Sequence, residues 1–324
     1  MFNIGHGGAR LVEADMITIY KTVKGKLVEQ KRVTAGVWIH AVDPSQEEIE
    51  QLLKWGVPSA GINSALDLDE LARVEKEDRV TFIIIRVPFF LGDQEDIPYT
   101  TVPLGVLTSS KWIVTLCRHS TQLLRESRKS KDHPLNTRKH NTFILHILYN
   151  TAKLYLQHLT AINHIVDNLE DRLSQSIRNK ELFQLLKYQK SLVFFSTALK
   201  TNELMIERLQ RIRLFQKYPE DQDLLDDVLT ENLQAVQMTN ISGNILSQMM
   251  DAFASMISNN QNNVIKLLTS VTIVLSIPVI VASFFGMNLP LPFQEHPIAF
   301  EITLAISLIL SILAIYIFRR KDWF

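Results

Sequence analysis

From Leu267 to Gln294 the chain carries no Asp, Glu, Lys, Arg or His, and this run limits its fold more than any other feature. About 20 consecutive apolar residues are enough to cross a bilayer, and residues 265–285 meet that length. A second apolar run, ITLAISLILSILAIYIF, occupies residues 302–318, and Ala299 and Phe300 extend it past Glu301. One such run is compatible with a buried core helix. Two runs joined by a short Pro-rich connection, with Arg319, Arg320 and Lys321 directly after them, read as two transmembrane helices. The basic cluster is expected on the cytoplasmic side by the positive-inside rule, as is Lys266 at the start of the first span. The connection contains Glu295 and His296 but no Lys or Arg, so it is expected outside, and Trp323 and Phe324 suit the interface.

The first span is not uniformly apolar. At about 100° per residue, Asn262, Ile265, Thr269, Thr272, Ser276 and Ser283 fall in a stripe roughly 80° wide. Hydroxyls along one face suit helix packing or a wet lumen equally well. Thr303, Ser307 and Ser311 in the second span read as packing against the first. The first span ends on FFGMNLP, placing Gly286, Met287 and Asn288 before Pro290 and Pro292. Taken alone, that is ordinary helix termination by glycine, asparagine and proline.

The rest of the chain reads as soluble. The net charge is zero and implies no general affinity for nucleic acid. Cys117, the single cysteine, excludes an intramolecular disulfide and reads as a small buried hydrophobe. The N-terminal MFNIGHGGARLVEAD lacks the apolar centre of a signal peptide, so the large N-terminal part is expected in the cytosol. MITIYK, GVWIHAV, RVTFIIIRVPFF and KWIVTLC read as strands, Asp43-Pro44-Ser45 before QEEIEQLL as a helix start, and LDLDELARVE (66–75) as a second short helix. No nucleotide loop or nucleophile elbow is present, which argues against an enzyme. No pair of histidines has the spacing of a metal site. From about residue 138 the pattern turns helical. Leu148, Ala152, Tyr155, Leu159, Ile162, Val166, Leu169 and Leu173 form a heptad seam. Leu182, Leu185, Leu192, Leu199 and Ile206 form another, with Gln189 and Ser196 as weak positions, so an antiparallel hairpin is expected. A third helix starts near KYPEDQD (217–223). Between Asn232 and Ile265 its only charge is Asp251. A heptad of Ala235, Met238, Ser242, Ile245, Met249, Ala252, Met256 and Asn259 uses small, flexible and amide residues. One helix from there to Phe285 would be roughly 90 Å long at 1.5 Å per residue. It suits several copies packed around a wet, uncharged axis.

These residues together resemble the CorA-type divalent-cation channels. The resemblance lies in Gly286-Met287-Asn288 ending the first of two C-terminal spans, the preceding long helix with NNVIKLLT, and the tail RRKDWF. LDLDELARVE is similar to the family's acidic helix. Phe285 stands where the family often has Tyr, and the outer loop has only Glu295 where more acids are common. The resemblance implies an α/β cytosolic domain, a long helical stalk and two C-terminal transmembrane helices, assembled as a funnel-shaped homopentameric channel in the cell membrane with both termini cytoplasmic. The implied divisions are a cytosolic α/β domain (1–137), its helical hairpin (138–219), a stalk helix (220–263), a pore-lining span (264–286), an external loop (287–298), a second span (299–319) and a basic tail (320–324). It implies a selectivity filter of Gly286, Met287 and Asn288, and a pore lined by Asp251, Asn262, Ile265, Thr269, Thr272, Ser276 and Val279. Regulatory Mg²⁺ is implied between subunits at Asp69, Glu70 and Asp227. The ion carried would be Mg²⁺, with Co²⁺ a further candidate, and the partners other copies of the chain and membrane lipid, with no nucleic acid or protein substrate. Zinc (or Co²⁺ or Ni²⁺) transport on the same architecture and a membrane-anchored sensor are the alternatives; the intact tripeptide argues against zinc.

Overall fold

The structure, a computed structural model, describes residues 17–77, 79–129, 135–175, 179–212, 215, 219–287, 297–321 and 323. It divides into two compact units, Met1–Met249 and Met250–Phe324. The first is built on a seven-stranded sheet. Its strands are β1 (Ile17–Val23), β2 (Lys26–Gln30), β3 (Val37–Val42), β4 (Arg73–Glu77), β5 (Val80–Phe90), β6 (Tyr99–Thr108) and β7 (Trp112–Cys117). They lie in the order β2-β1-β3-β7-β6-β5-β4, with β3 and β7 parallel and the other neighbours antiparallel.

Side chains alternate between two cores, because successive residues of a strand face opposite sides. Phe82 and Ile84 of β5, with Val37, Ile39 and Ala41 of β3, meet α1 (Gln46–Lys54) and α2 (Ser59–Leu66) through Leu52, Ile62 and Ala65. Ile83, Ile85 and Val87, with Trp38, face α3 (Gln122–Lys129), α4 (His140–Gln175), α5 (Asn179–Arg211) and the start of α6 (Pro219–Phe285). The unit is therefore an α/β/α sandwich. A Cβ at Gly105 would lie 2.5 Å from the Ala65 Cβ, and one at Gly61 2.5 Å from Leu107 Cδ2, so these glycines let α2 lie directly on β6.

The four strands read from sequence are present, and α1 starts at Ser45 with a full capping box to Glu48. β2, β4 and β6 escaped that reading. The helix expected at 66–75 is absent. α2 ends at Leu66, a turn follows, and Arg73–Glu77 pairs with β5. The Asp67 carboxylate accepts the Asp69 N–H at 3.1 Å, and Arg86 takes the carbonyls of Leu68 and Glu70. Those backbone groups are thereby withdrawn from a helix.

All eight residues of the first helical seam are buried in α4, and Leu185, Leu192, Leu199 and Ile206 are buried in α5. The weak positions of the second seam face polar partners on α6. Gln189 Nε2 donates to Ser247 Oγ at 2.9 Å, and Ser196 Oγ lies 3.5 Å from Asn240 Oδ1. The heptad on α6 differs in one half from expectation. Between Leu225 and Met249 the buried positions are Leu225, Val228, Asn232, Ala235, Thr239, Ser242, Leu246 and Met249. Ala235, Ser242 and Met249 belong to the expected seam, whereas Met238 is only half-buried and Ile245 is 52% exposed. The helix turns its other flank to the hairpin of its own chain.

The second unit holds the C-terminal part of α6 and α7 (Ala299–Arg320), both helices long and apolar enough to cross a membrane. α6 runs through Pro278, which has no N–H for the Val274 carbonyl. Among the described residues from Met250 on, only Phe253, Ser270, Val281 and Ser307 are buried.

Candidate ion path and cation-sensing loop

Helix α6 closes at Phe285, and the Gly286 N–H still bonds to the Ala282 carbonyl at 2.9 Å. Gly286 does not adopt the left-handed backbone typical of a terminating glycine. A Cβ there would meet the Ala282 carbonyl oxygen at 3.2 Å. A left-handed backbone therefore does not account for this glycine; what a side chain there would meet is the carbonyl row of its own helix. Met287 is exposed. Asn288, the third member of the expected filter, lies outside the described residues.

The expected pore-lining residues lie on one exposed face. Asp251, Asn262, Ile265, Thr269, Thr272 and Val279 are exposed and Ser276 is half-buried. At about 100° per residue, the buried Ser270 and Val281 sit roughly opposite the middle of that stripe. The packing face of the span and its hydroxyl face are thus different faces. Thr272 Oγ1 donates to the Leu268 carbonyl and Ser276 Oγ to that of Thr272, each at 2.8 Å. These bonds satisfy the hydroxyl protons and leave oxygen lone pairs on the free face. With Cys117 replaced, cysteine at Thr272 or Ser276 is expected to react with a small water-soluble thiol reagent and block flux. Cysteine at Val281 or Val274 is expected to stay largely unlabelled. Uniform labelling around the helix would remove the lumen assignment.

The three candidate regulatory acids have different surroundings. Asp69 is exposed, at the tip of the turn closed by Asp67. Glu70 is mostly buried and ion-paired, its Oε1 3.5 Å from Arg73 Nε. Arg73 also reaches Glu75 at 3.3 Å and donates to Ser64 Oγ at 2.9 Å. Asp227 is exposed on α6. Lys153 of α4 lies 4.6 Å over the Tyr149 ring. Its ammonium is held above the ordinary lysine value by a hydrogen bond to Tyr149, with Glu231 and Asp227 adding attraction. Both sets of acids thus have a nearby cation that sequence reading missed. No three potential ligands cluster among the described residues of a single chain. The Asp69 and Asp227 carboxylates are exposed, whereas that of Glu70 is engaged by Arg73.

Beneath the turn lies Arg86, only 9% exposed in the middle of β5. Nη1 donates to the Leu68 carbonyl at 2.6 Å and the Glu70 carbonyl at 3.0 Å. Nη2 donates to the Thr101 carbonyl and Oγ1 at 2.6 and 2.8 Å, and Nε to Oγ1 at 3.2 Å. Burial draws the guanidinium pKa below its usual value, while Tyr155, Asp69 and Asp67 oppose the shift. In the sheet Arg86 stands opposite Pro103, which has no N–H to give. The backbone polar groups of Arg86 are both held by the Asn202 side chain instead. Its Oδ1 accepts the Arg86 N–H at 2.9 Å and its Nδ2 donates to the Arg86 carbonyl at 2.8 Å, with the Tyr155 hydroxyl on the same carbonyl at 3.0 Å. The available signal was a lone arginine inside the apolar run FIIIRVPFF, since a buried charge needs partners.

Burial lowers His40 and His158 to about 4, so both stay neutral near pH 7. Burial lifts the Cys117 thiol to about 12, which suits its place in the core and leaves it unreactive.

Comparison with known proteins agrees with this architecture. Cobalt/magnesium transport protein CorA of Methanocaldococcus jannaschii is 29% identical over 325 residues, 95% of this chain and all of that protein. The complete structure of the CorA magnesium transporter from the same organism superposes with a TM-score of 0.81 at 24% identity, covering 97% of this chain and 100% of that one. The ZntB cytoplasmic domain from Vibrio parahaemolyticus shares the fold at a TM-score of 0.59 and 10% identity, over 76% of this chain and 97% of its own. The model of the CorA-like Mg²⁺ transporter protein family matches residues 34–320, and the chain belongs to that family.

Proposed function

We propose that copies of this chain assemble as a homopentameric channel that admits hydrated Mg²⁺ to the cytosol, driven by the membrane potential and shut by cytosolic Mg²⁺. The observation that carries the reading is the course of α6. It runs as one helix from Pro219 to Phe285, with its hydroxyl stripe largely exposed and the buried Ser270 and Val281 on another face. Mg²⁺ sheds water reluctantly and favours octahedral oxygen geometry. Neutral oxygens from Gly286 and Asn288 at the mouth select the hydrated ion by hydrogen-bonding its waters. A carboxylate ring there would hold a divalent ion too tightly for conduction. Asn262 forms a second amide ring, Ile265 an apolar constriction, and Asp251 an acidic ring in the stalk. A divalent charge crossing 100 mV gains about 4.6 kcal/mol, so influx needs no ATP.

Feedback follows from electrostatics. Asp69 (with Glu70) on one subunit and Asp227 on its neighbour repel until a divalent ion bridges them, and the bridged form is the closed one. Co²⁺, named for the Methanocaldococcus jannaschii relative, is a second candidate ion. Both termini are cytoplasmic, the loop 287–298 is external, and 220–263 serves as the stalk.

The test is dye-monitored uptake into proteoliposomes holding the whole protein. Mg²⁺ uptake is expected to rise with an inside-negative potential and to be blocked by hexaammine cobalt, an inert mimic of a hydrated ion. Zn²⁺ uptake without Mg²⁺ uptake would replace this reading with zinc transport. No flux of either ion would favour a sensor.

A further inference from the structure

We infer that Arg86 is the positioning residue of the cation-sensing turn, its guanidinium clamping the carbonyls on either side of Asp69 and so fixing where that carboxylate is presented. The inference rests on the reading of Asp69 as a sensor ligand. Its geometric basis is independent of that reading. All five guanidinium donors are used, two on Leu68 and Glu70 and three on Thr101. None goes to a carboxylate, which is unusual for a buried cation. The charge is instead spent on backbone carbonyls, where it fixes a loop. The backbone of the same residue is gripped by Asn202 of α5 and Tyr155 of α4. One residue thus ties the acidic turn to both helices of the hairpin across the sheet. An exposed acid on a short turn would otherwise sample many positions, and each would weaken a shared ion site.

The arrangement also bears on charge. Asp69 and Asp67 sit near a cation that stays in place whether or not Mg²⁺ is bound. This resident charge moderates repulsion among the acids in the ion-free state without occupying their oxygens. Lysine keeps the charge but concentrates its donors on one nitrogen, so it cannot span both carbonyls and Thr101.

The experiment is a Mg²⁺ titration of trypsin protection on the full-length protein in detergent, with thermal unfolding in EDTA run in parallel. Arg86→Lys is expected to unfold near the wild-type temperature yet raise the half-protection concentration about tenfold, as loss of a group that orients a metal ligand does. Asp69→Ala is expected to raise it at least as far. The double variant is expected to match Asp69→Ala alone, because Arg86 acts through the placement of Asp69. A merely structural role would lower the unfolding temperature and leave the midpoint of the folded fraction unchanged. If Arg86→Lys does not fold, Thr101→Val removes only one acceptor and is expected to raise the midpoint about threefold. A wild-type midpoint in Arg86→Lys, or in Thr101→Val where Arg86→Lys does not fold, overturns the inference, as does a double variant whose effects add. If Asp69→Ala shifts the midpoint and the Arg86 variant does not, only the positioning role falls. If Asp69→Ala itself changes nothing, the sensor reading falls and takes this inference with it.

Discussion

Asn288→Ala is expected to abolish Mg²⁺ uptake in proteoliposomes while leaving assembly, measured by native mass or size exclusion, intact. The expectation starts from the end of α6. Gly286 and Met287 leave the helix exposed, and Gly286 is not held in a left-handed backbone. On the proposed reading its missing Cβ leaves an opening at the pore mouth. The next residue is an amide between that opening and Pro290. An amide oxygen accepts hydrogen bonds from the water shell of the ion without adding charge. In the proposed pentamer alanine removes every such acceptor from the ring at once, so the expected loss is cooperative across subunits. Asn288→Asp separates geometry from charge. It keeps the acceptors but converts the ring to carboxylates, and is expected to bind the ion and pass little of it. Wild-type rates in assembled Asn288→Ala would end the assignment of the filter to this tripeptide.

The parts legible in sequence were those with strong periodicity. The heptad from Leu148 to Leu173 is buried without exception, because a long apolar seam admits few alternatives. The Ser45–Glu48 capping box was readable for the same reason, being a local motif with local chemistry. Strand β6 was harder. YTTVPLGVLT contains Pro103 and Gly105, both signals against a central strand. The reasons they are tolerated are not local. Pro103 stands opposite Arg86, whose backbone N–H and carbonyl are both taken by Asn202 of α5, and Ala65 occupies the space over Gly105. The supposed helix at 66–75 failed likewise, since Arg86 claims two of its carbonyls from another strand. The candidate acids were read by resemblance, but their cations were not. Arg73 is only three residues from Glu70, whereas Lys153 and Arg86 come near Asp227 and the Asp69 turn only through the fold.

Those cations sharpen the last prediction. Asp227→Ala is expected to raise the Mg²⁺ concentration for half-protection of the cytosolic part at least about tenfold, the loss expected even for a neighbour that only orients a ligand. Asp69→Ala is expected to act similarly, since its carboxylate is exposed at a clamped turn. Glu70→Ala is expected to act less. Its carboxylate is 20% exposed and already ion-paired with Arg73, so an incoming ion must break that pair first. Transport need not fall in any of the three, because the proposed filter and the proposed sensor use different residues. Removing an acid also removes like-charge repulsion, so an Asp227→Ala channel is free to rest closed without bound ion. Protection against protease is therefore a cleaner readout than flux. A ligand shifts such an equilibrium only by its differential affinity for the two states. The ion titration measures that difference, and the ranking Asp227 and Asp69 above Glu70 is its signature. Equal midpoints for wild type, Asp227→Ala and Asp69→Ala would place cation sensing elsewhere in the chain. A larger effect from Glu70→Ala than from Asp69→Ala would mean that the Arg73 pair opens when the ion arrives.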